Sequence, residues 1–443
     1  MKKLLTTVGI LALLASGLAA CSGSENSSSS ANQRGEPAKA GSPTEISVLI
    51  GKSEIISQFE EMVEHYNTSQ DQVKVSIISL GNQNAFDKMT TLYASNNAPT
   101  ISMMGAEYES MHDKLLDLSD QPWVSHTMKG SLDYVRDGSQ IKGMPVSVEA
   151  FGLIYNKKVL DQASGGNFDS ATVKTQDELK SLMDKITSSG AAEGAIHVSP
   201  IDWSLGAHYT NILFADQSSD RDQRHKFIKD LKNGTVKLSE NEIFSGWVNT
   251  FDLMKAYNIN KSAPLSPVYD DGPIALATGQ VGLWFMGNWA YPQILELDPE
   301  GQYGFLPVPI SNNAEDYGNS QISVGVPSYW VVDAEQSTTD QQKAAKEFLN
   351  WMVSSKEGQD YYVNKLNFLP VFDNFTAEPA DSLSQSVLSY MKSENTLEWM
   401  NTYYPADAYP AMGTSMQKYL ADKINKSDLA KEFEAYWTKK KSN

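Results

Sequence analysis

Past residue 44 the chain alternates two hydrophobic rhythms. Glu45-Ile46-Ser47-Val48-Leu49-Ile50 alternates and then runs apolar, which predicts a buried strand. Ile55, Ile56, Phe59, Met62, Val63 and Tyr66 recur at helical spacing. Val73, Val75 and Ile77 share one face of a predicted strand over 73–80. Residues 86–94 read as a helix, and 99–104 as a short strand ending at Gly105. A β-α-β-α-β opening predicts a parallel sheet with crossover helices. Further helices are predicted over 177–188, 223–232, 242–256, 341–355, 382–391 and 428–437, with short strands at 152–155, 282–285, 303–306 and 328–332. The chain is therefore expected to be α/β, without internal repeats.

The first 43 residues follow neither rhythm. Lys2 and Lys3 precede a mostly apolar run over 4–20, which is short for spanning ~30 Å of hydrocarbon. It ends in Leu18-Ala19-Ala20 directly before Cys21, the layout of a secretory signal peptide over 1–20. The Leu-Ala-Ala-Cys ending resembles the bacterial lipobox, which implies lipidation of Cys21 as the new N-terminus. The residues after it, up to Pro43, hold no aromatic and no large aliphatic side chain. They cannot offset ordering entropy by burial, so 21–43 is expected to be a lipidated Cys and flexible tether. The remainder is expected to stand outside the cytoplasm, on the outer face of the cell membrane, as a Gram-positive-type surface lipoprotein.

Composition narrows the function classes. The chain carries 36 Lys+Arg against 54 Asp+Glu, a net charge of −18, which becomes −20 once Lys2 and Lys3 leave with the leader. Such a chain lacks the cationic field that neutralises phosphates, so no nucleic-acid partner is expected. Its 443 residues suit two or three domains, and its 9 Trp, 20 Tyr and 15 Phe exclude global disorder. The single cysteine excludes an intramolecular disulfide or a Cys-based zinc site. There is no Gly-x-x-x-x-Gly-Lys-Ser/Thr loop, no Gly-x-Ser-x-Gly elbow, no His-x-x-x-His pair and no EF-hand spacing. No cofactor, no metal and no enzymatic activity are expected, although carboxylates distant in sequence leave a glycosidase open.

Four segments carry a resemblance. They are Met144-Pro145-Val146-Ser147-Val148-Glu149-Ala150 continuing to Tyr155-Asn156-Lys157; Ala275-Leu276-Ala277-Thr278-Gly279-Gln280-Val281-Gly282 continuing to Gly287-Asn288-Trp289; Ser323-Val324-Gly325-Val326-Pro327 with Ala344-Ala345-Lys346-Glu347-Phe348-Leu349 and Lys356-Glu357-Gly358; and Pro99 to Glu107. In this order they resemble the extracellular solute-binding proteins of carbohydrate ABC importers, specifically the maltose-binding-protein-like group (family 1). The resemblance implies a two-lobed periplasmic-binding-protein-like fold (type II) with a hinge crossed several times. Lobe 1 is expected over 44–148 plus 310–355, and lobe 2 over 149–308 plus 356–443. It further implies an oligosaccharide ligand in the interlobe cleft, ABC permease subunits as partners, and a monomer.

Sugar recognition needs flat aromatic faces and planar polar groups, both cheap in rotamer entropy. By the resemblance, Trp289 stacks on sugar and Glu149 accepts from its hydroxyls; the other reading of Glu149 is a hinge carboxylate paired to a Lys. Glu107 follows the third predicted strand at the family's acidic position. Met104 stands where the family often carries an aromatic, with Tyr108 as the substitute next door. Lys52 and Glu54 follow the first strand, at the end where α/β sheets bind ligands, or form a solvated turn. Trp203 is expected to be the second lobe's aromatic ligand, with Asp202, His208 and Tyr209 beside it. Asp270, next to Asp271, either binds ligand or serves a helix N-terminus. Tyr403 and Tyr409 are the expected aromatics near the C-terminus, where Trp399 and Tyr404 also crowd. Trp284 and Trp330 read as core. The competing functions are a lipid-anchored glycosidase or lyase and a receptor for a non-sugar solute such as a polyamine or peptide.

Overall fold

The computed structural model describes residues 41–80, 83, 85–405 and 407–441. The expected leader, Cys21 and most of the expected tether lie outside the described residues.

The opening pattern folds into a parallel sheet. Thr44–Ile50 pairs with Val73–Ser79 on one side and Ile101–Met104 on the other. Helices Ile56–Ser69 and Ala85–Ala94 make the crossovers. The first buries Phe59, Met62, Val63 and Tyr66, the stripe its periodicity marks. Tyr329–Val332 returns antiparallel to Ile101–Met104, and Met144–Pro145 closes that edge.

A second sheet is built around Glu149–Asn156. This strand runs antiparallel to Val281–Gly287 on one side, and to Ile322–Gly325 and Tyr303–Leu306 on the other. Gly194–His197 and Thr396–Leu397 are its outer strands. Val281–Gly287 is buried along its whole length, as expected for a strand covered on both faces. Gly194–His197 and Ile322–Gly325 are additions to the expected set of strands. The Tyr155-Asn156-Lys157 motif is a strand-to-helix joint. Asn156 accepts from the Val159 N–H at 3.3 Å to cap the helix Lys157–Ser164, and donates to the Leu276 carbonyl at 2.9 Å. The outer edge of Tyr303–Leu306 is closed by serines: the Tyr303 and Phe305 N–H groups donate to Ser382 and Ser386 at 2.8 and 3.0 Å. Helix Ser382–Lys392 thus covers an edge that would otherwise be open to another strand.

The chain passes between the sheets at 146–148 and again at 326–328. The two passages lie side by side, with the Val146 N–H donating to the Ser328 carbonyl at 2.9 Å. This corrects the crossing expected near Pro309. Residues 310–325 stay with the second sheet, because Gln176 donates to the Ser311 carbonyl at 3.0 Å, Asn319 accepts from the Ile310 N–H at 2.8 Å, and Ile322–Gly325 joins the sheet itself. The crossing expected near Ser355 also moves. Ser355 is a cap, accepting from the Gly358 N–H at 2.8 Å to start the helix Lys356–Asp360. The chain after it remains with the first sheet: the Tyr362 hydroxyl donates to the Val146 carbonyl, and Asn374 donates to the Val353 carbonyl at 3.1 Å. Serine at 355 marks a helix cap rather than a passage.

Candidate ligand-binding cleft

Between the two sheets lies a cleft of about 900 Å³. Two hollows of about 550 Å³ lie elsewhere, one beside Tyr155 and the Ser382–Lys392 helix, the other beside Arg221 and Tyr403. The large cleft has two walls. One wall comes from the ends of strands of the first sheet and the segments next to them, and presents Lys52, Ser53, Glu54, Met103, Glu107 and Ser328. The facing wall presents Trp203, His208, Tyr269, Trp289, Trp399 and Tyr409. Polar groups thus oppose aromatic faces.

Trp289 sits in the turn after Val281–Gly287. Gly287 is in extended backbone that any residue adopts, so its role is space: a Cβ there would lie 1.9 Å from the Trp289 ring. Asn288 accepts from the Ala150 N–H at 2.8 Å and ties this turn to the start of Glu149–Asn156. The Trp289 ring lies 4.9 Å from His208, 6.3 Å from Trp203 and 6.4 Å from Trp399, centroid to centroid. His208 stacks on Phe151 at 4.6 Å. Burial among these rings pushes the His208 imidazole down to about 3, with the Lys52 charge adding to the effect, so it is neutral at physiological pH. Trp203 immediately precedes a π-helical turn, Ser204–Tyr209, and His208 lies within it. Such turns widen a helix locally and recur at functional sites. Here it packs backbone to backbone on the helix Ala408–Leu420, which brings Tyr409 to the same wall.

The charged floor is a triad. The Lys52 ammonium lies 2.6 Å from Glu149 and 3.3 Å from Glu54. Burial works against the Lys52 charge, but the two carboxylates outweigh it and hold the lysine above its ordinary range. Burial pushes the Glu149 carboxyl up, and the adjacent ammonium opposes that shift. Glu149 pairs with a lysine and also lines the cleft. Glu107 accepts from the Gly105 N–H at 2.9 Å, which fixes its loop at the cleft wall.

Of the expected ligand residues, Trp289, Glu149, Glu107, Trp203, Lys52, Glu54, Asp270 and Tyr409 all line this cleft. Two do not. Tyr108 is buried against the Tyr134 ring at 5.4 Å, because the helix starting there turns it into the first lobe's core. Tyr403 faces the hollow beside Arg221, which donates to its hydroxyl at 3.0 Å, and lies edge-on to His225 at 4.5 Å. Tyr209 is core, its hydroxyl donating to the Trp247 carbonyl at 2.9 Å. Trp284 and Trp330 are fully buried, as read. Met103, Tyr269 and Asn401 line the cleft and were missed. Alternation along Ile101–Met104 is the signal for Met103, since buried Met104 must face the opposite side. Among the described residues no cluster of His, Cys, Asp and Glu could hold a metal ion, and no helix is long and apolar enough to cross a membrane.

Two α/β lobes, a hinge crossed more than once and an aromatic–carboxylate cleft between them define a two-lobed periplasmic-binding-protein-like receptor fold of type II. The sequence model of the bacterial extracellular solute-binding proteins matches residues 61–387, and the chain belongs to that family. It is 20% identical over 430 residues to the multiple sugar-binding protein of Streptococcus mutans serotype c, covering 94% of this chain and 95% of that protein. The SBP RafE in complex with raffinose superposes with a TM-score of 0.76 at 18% identity, covering 90% of this chain and 100% of RafE. A sugar transporter structure from Bacillus licheniformis, in complex with stachyose, gives 0.70 at 17% identity, covering 89% and 100%.

Proposed function

We propose that the chain is the membrane-anchored substrate-binding component of an ABC importer, capturing an oligosaccharide in the cleft and delivering it to permease subunits. The observation that carries this is the facing of an aromatic wall by a carboxylate-bearing one across about 900 Å³, a volume in the upper range of small-molecule sites. Pyranose rings offer C–H faces to the first wall and hydroxyls to the second. The sugar ligands named for the similar proteins favour the same class. Trp289, Trp203 and Tyr409 are assigned to stacking; Glu149, Glu107, Lys52, Glu54 and Asp270 to hydroxyl contacts. Sheet membership favours a lobe 1 of 44–145 plus 329–374 and a lobe 2 of 149–325 plus 382–441. Contacts made by both lobes favour the closed state, which is the form handed on.

A thermal-shift screen tests the ligand class. Tri- and tetrasaccharides such as raffinose and stachyose are expected to raise the midpoint, while peptides and polyamines leave it unchanged. A response confined to the non-sugars, or sugar cleavage products in the mixture, rejects the assignment. The anchor is tested separately. Cys21→Ser is expected to move the chain from the membrane fraction to the medium, and a variant that stays with the membrane removes Cys21 as its attachment.

A further inference from the structure

We propose that Lys52 is a built-in cation: it fills the ammonium site of this cleft with the protein's own side chain, so the cleft rejects amine-bearing ligands and keeps neutral ones. This deepens the oligosaccharide reading and rests on it.

The site it fills is complete. The Lys52 ammonium has Glu149 at 2.6 Å, Glu54 at 3.3 Å and the Trp289 ring centroid at 6.0 Å. Two carboxylates and an indole face are the chemistry by which proteins hold ligand ammonium groups. All three ionic side chains are shielded from solvent, at 13%, 11% and 8% exposure. The other acidic or basic side chains on the cleft walls, Glu107 and Asp270, are both acids, so among the described lining residues Lys52 is the one lysine or arginine. Without it the floor would present two uncompensated carboxylates to an aromatic wall, which is an amine receptor.

With Lys52 in place, an incoming ammonium must displace one that is tethered at high effective concentration, and it meets a like charge as it does so. A neutral sugar meets neither obstacle. Its hydroxyls donate to carboxylate lone pairs that one ammonium leaves free. The lysine therefore sets specificity by occupying a position, and the polyamine class is excluded by a side chain rather than by the absence of acids.

The test melts the full chain as wild type, Lys52→Ala and Lys52→Met, with methylammonium chloride and putrescine dihydrochloride against sodium chloride of matched ionic strength. Methylammonium is expected to raise the Lys52→Ala midpoint by about 2 °C or more and to leave wild type unmoved. Lys52→Met keeps the apolar stem, so it carries the test if the alanine variant does not fold, with a smaller rise expected. A wild type that responds to either amine as strongly as the variants overturns the proposal. So do folded variants that ignore both amines. Neutral trisaccharide on wild type reads the sugar assignment separately, so failure of one proposal is not mistaken for failure of the other.

Discussion

Trp289→Ala is expected to weaken affinity for the best neutral sugar about 100-fold, equivalent to roughly 2.7 kcal/mol. Covering a large aromatic side chain is worth about 2–3 kcal/mol in removed apolar area, which accounts for the loss without invoking hydrogen bonds. The ring is also the meeting point of the aromatic wall, touching His208, Trp203 and Trp399 and facing the Lys52 ammonium. Trp289 is only half-buried, so truncation leaves the strand and its Asn288 tie in place. Melting is expected to remain cooperative with a stability loss of about 1–2 kcal/mol. Isothermal calorimetry decides the matter: an affinity equal to wild type would take Trp289 out of the binding surface.

Gly206→Ala is expected to cost about 3 kcal/mol or more of stability and to abolish binding in whatever still folds. A Cβ at 206 would lie 2.3 Å from the Tyr409 carbonyl and 2.4 Å from the Gly413 nitrogen. Both are backbone atoms, so no flexible side-chain end can yield. Gly413 makes the reciprocal contact, with the Asp202 carbonyl 2.6 Å from where its own Cβ would be. The extra methyl must therefore pry the helix Ala408–Leu420 off the Ser204–Tyr209 turn. That separation moves Tyr409 away from Trp203 and His208 and splits the aromatic wall. Urea denaturation measures the stability loss. A variant with wild-type stability would show that the two segments tolerate separation.

Much of the cleft was legible beforehand, for a local reason. Lys52, Glu54 and Glu107 follow the carboxyl ends of predicted strands, where an α/β sheet places its loops. Trp289 is marked by the Gly287-Asn288 pair before it, the glycine leaving the ring room and the asparagine holding the turn. What failed was direction. Tyr108 directly follows a cleft residue and points the other way into the core, because a short helix begins there. Tyr403 and Tyr409 lie in one aromatic-rich stretch, yet the intervening turn sends them to different hollows. The lobe boundaries failed for a related reason. A strand of four residues, Ile322–Gly325, is too short to announce which sheet it joins, and its pairing with Phe151, Ala150 and Glu149 is non-local.

The amino-acid sequence alone determined the α/β architecture, the parallel opening and the residue types of a sugar-like site, because periodicity and strand-end position are properties of short segments. Only the tertiary structure decided which side chains share the cleft. The Lys52–Glu149 pair, the stack of His208 on Phe151 and the contact of Gly206 on Gly413 each join residues far apart along the chain. Closing such loops is driven by burial of the whole core, and a burial-driven energy leaves no signature in any one segment.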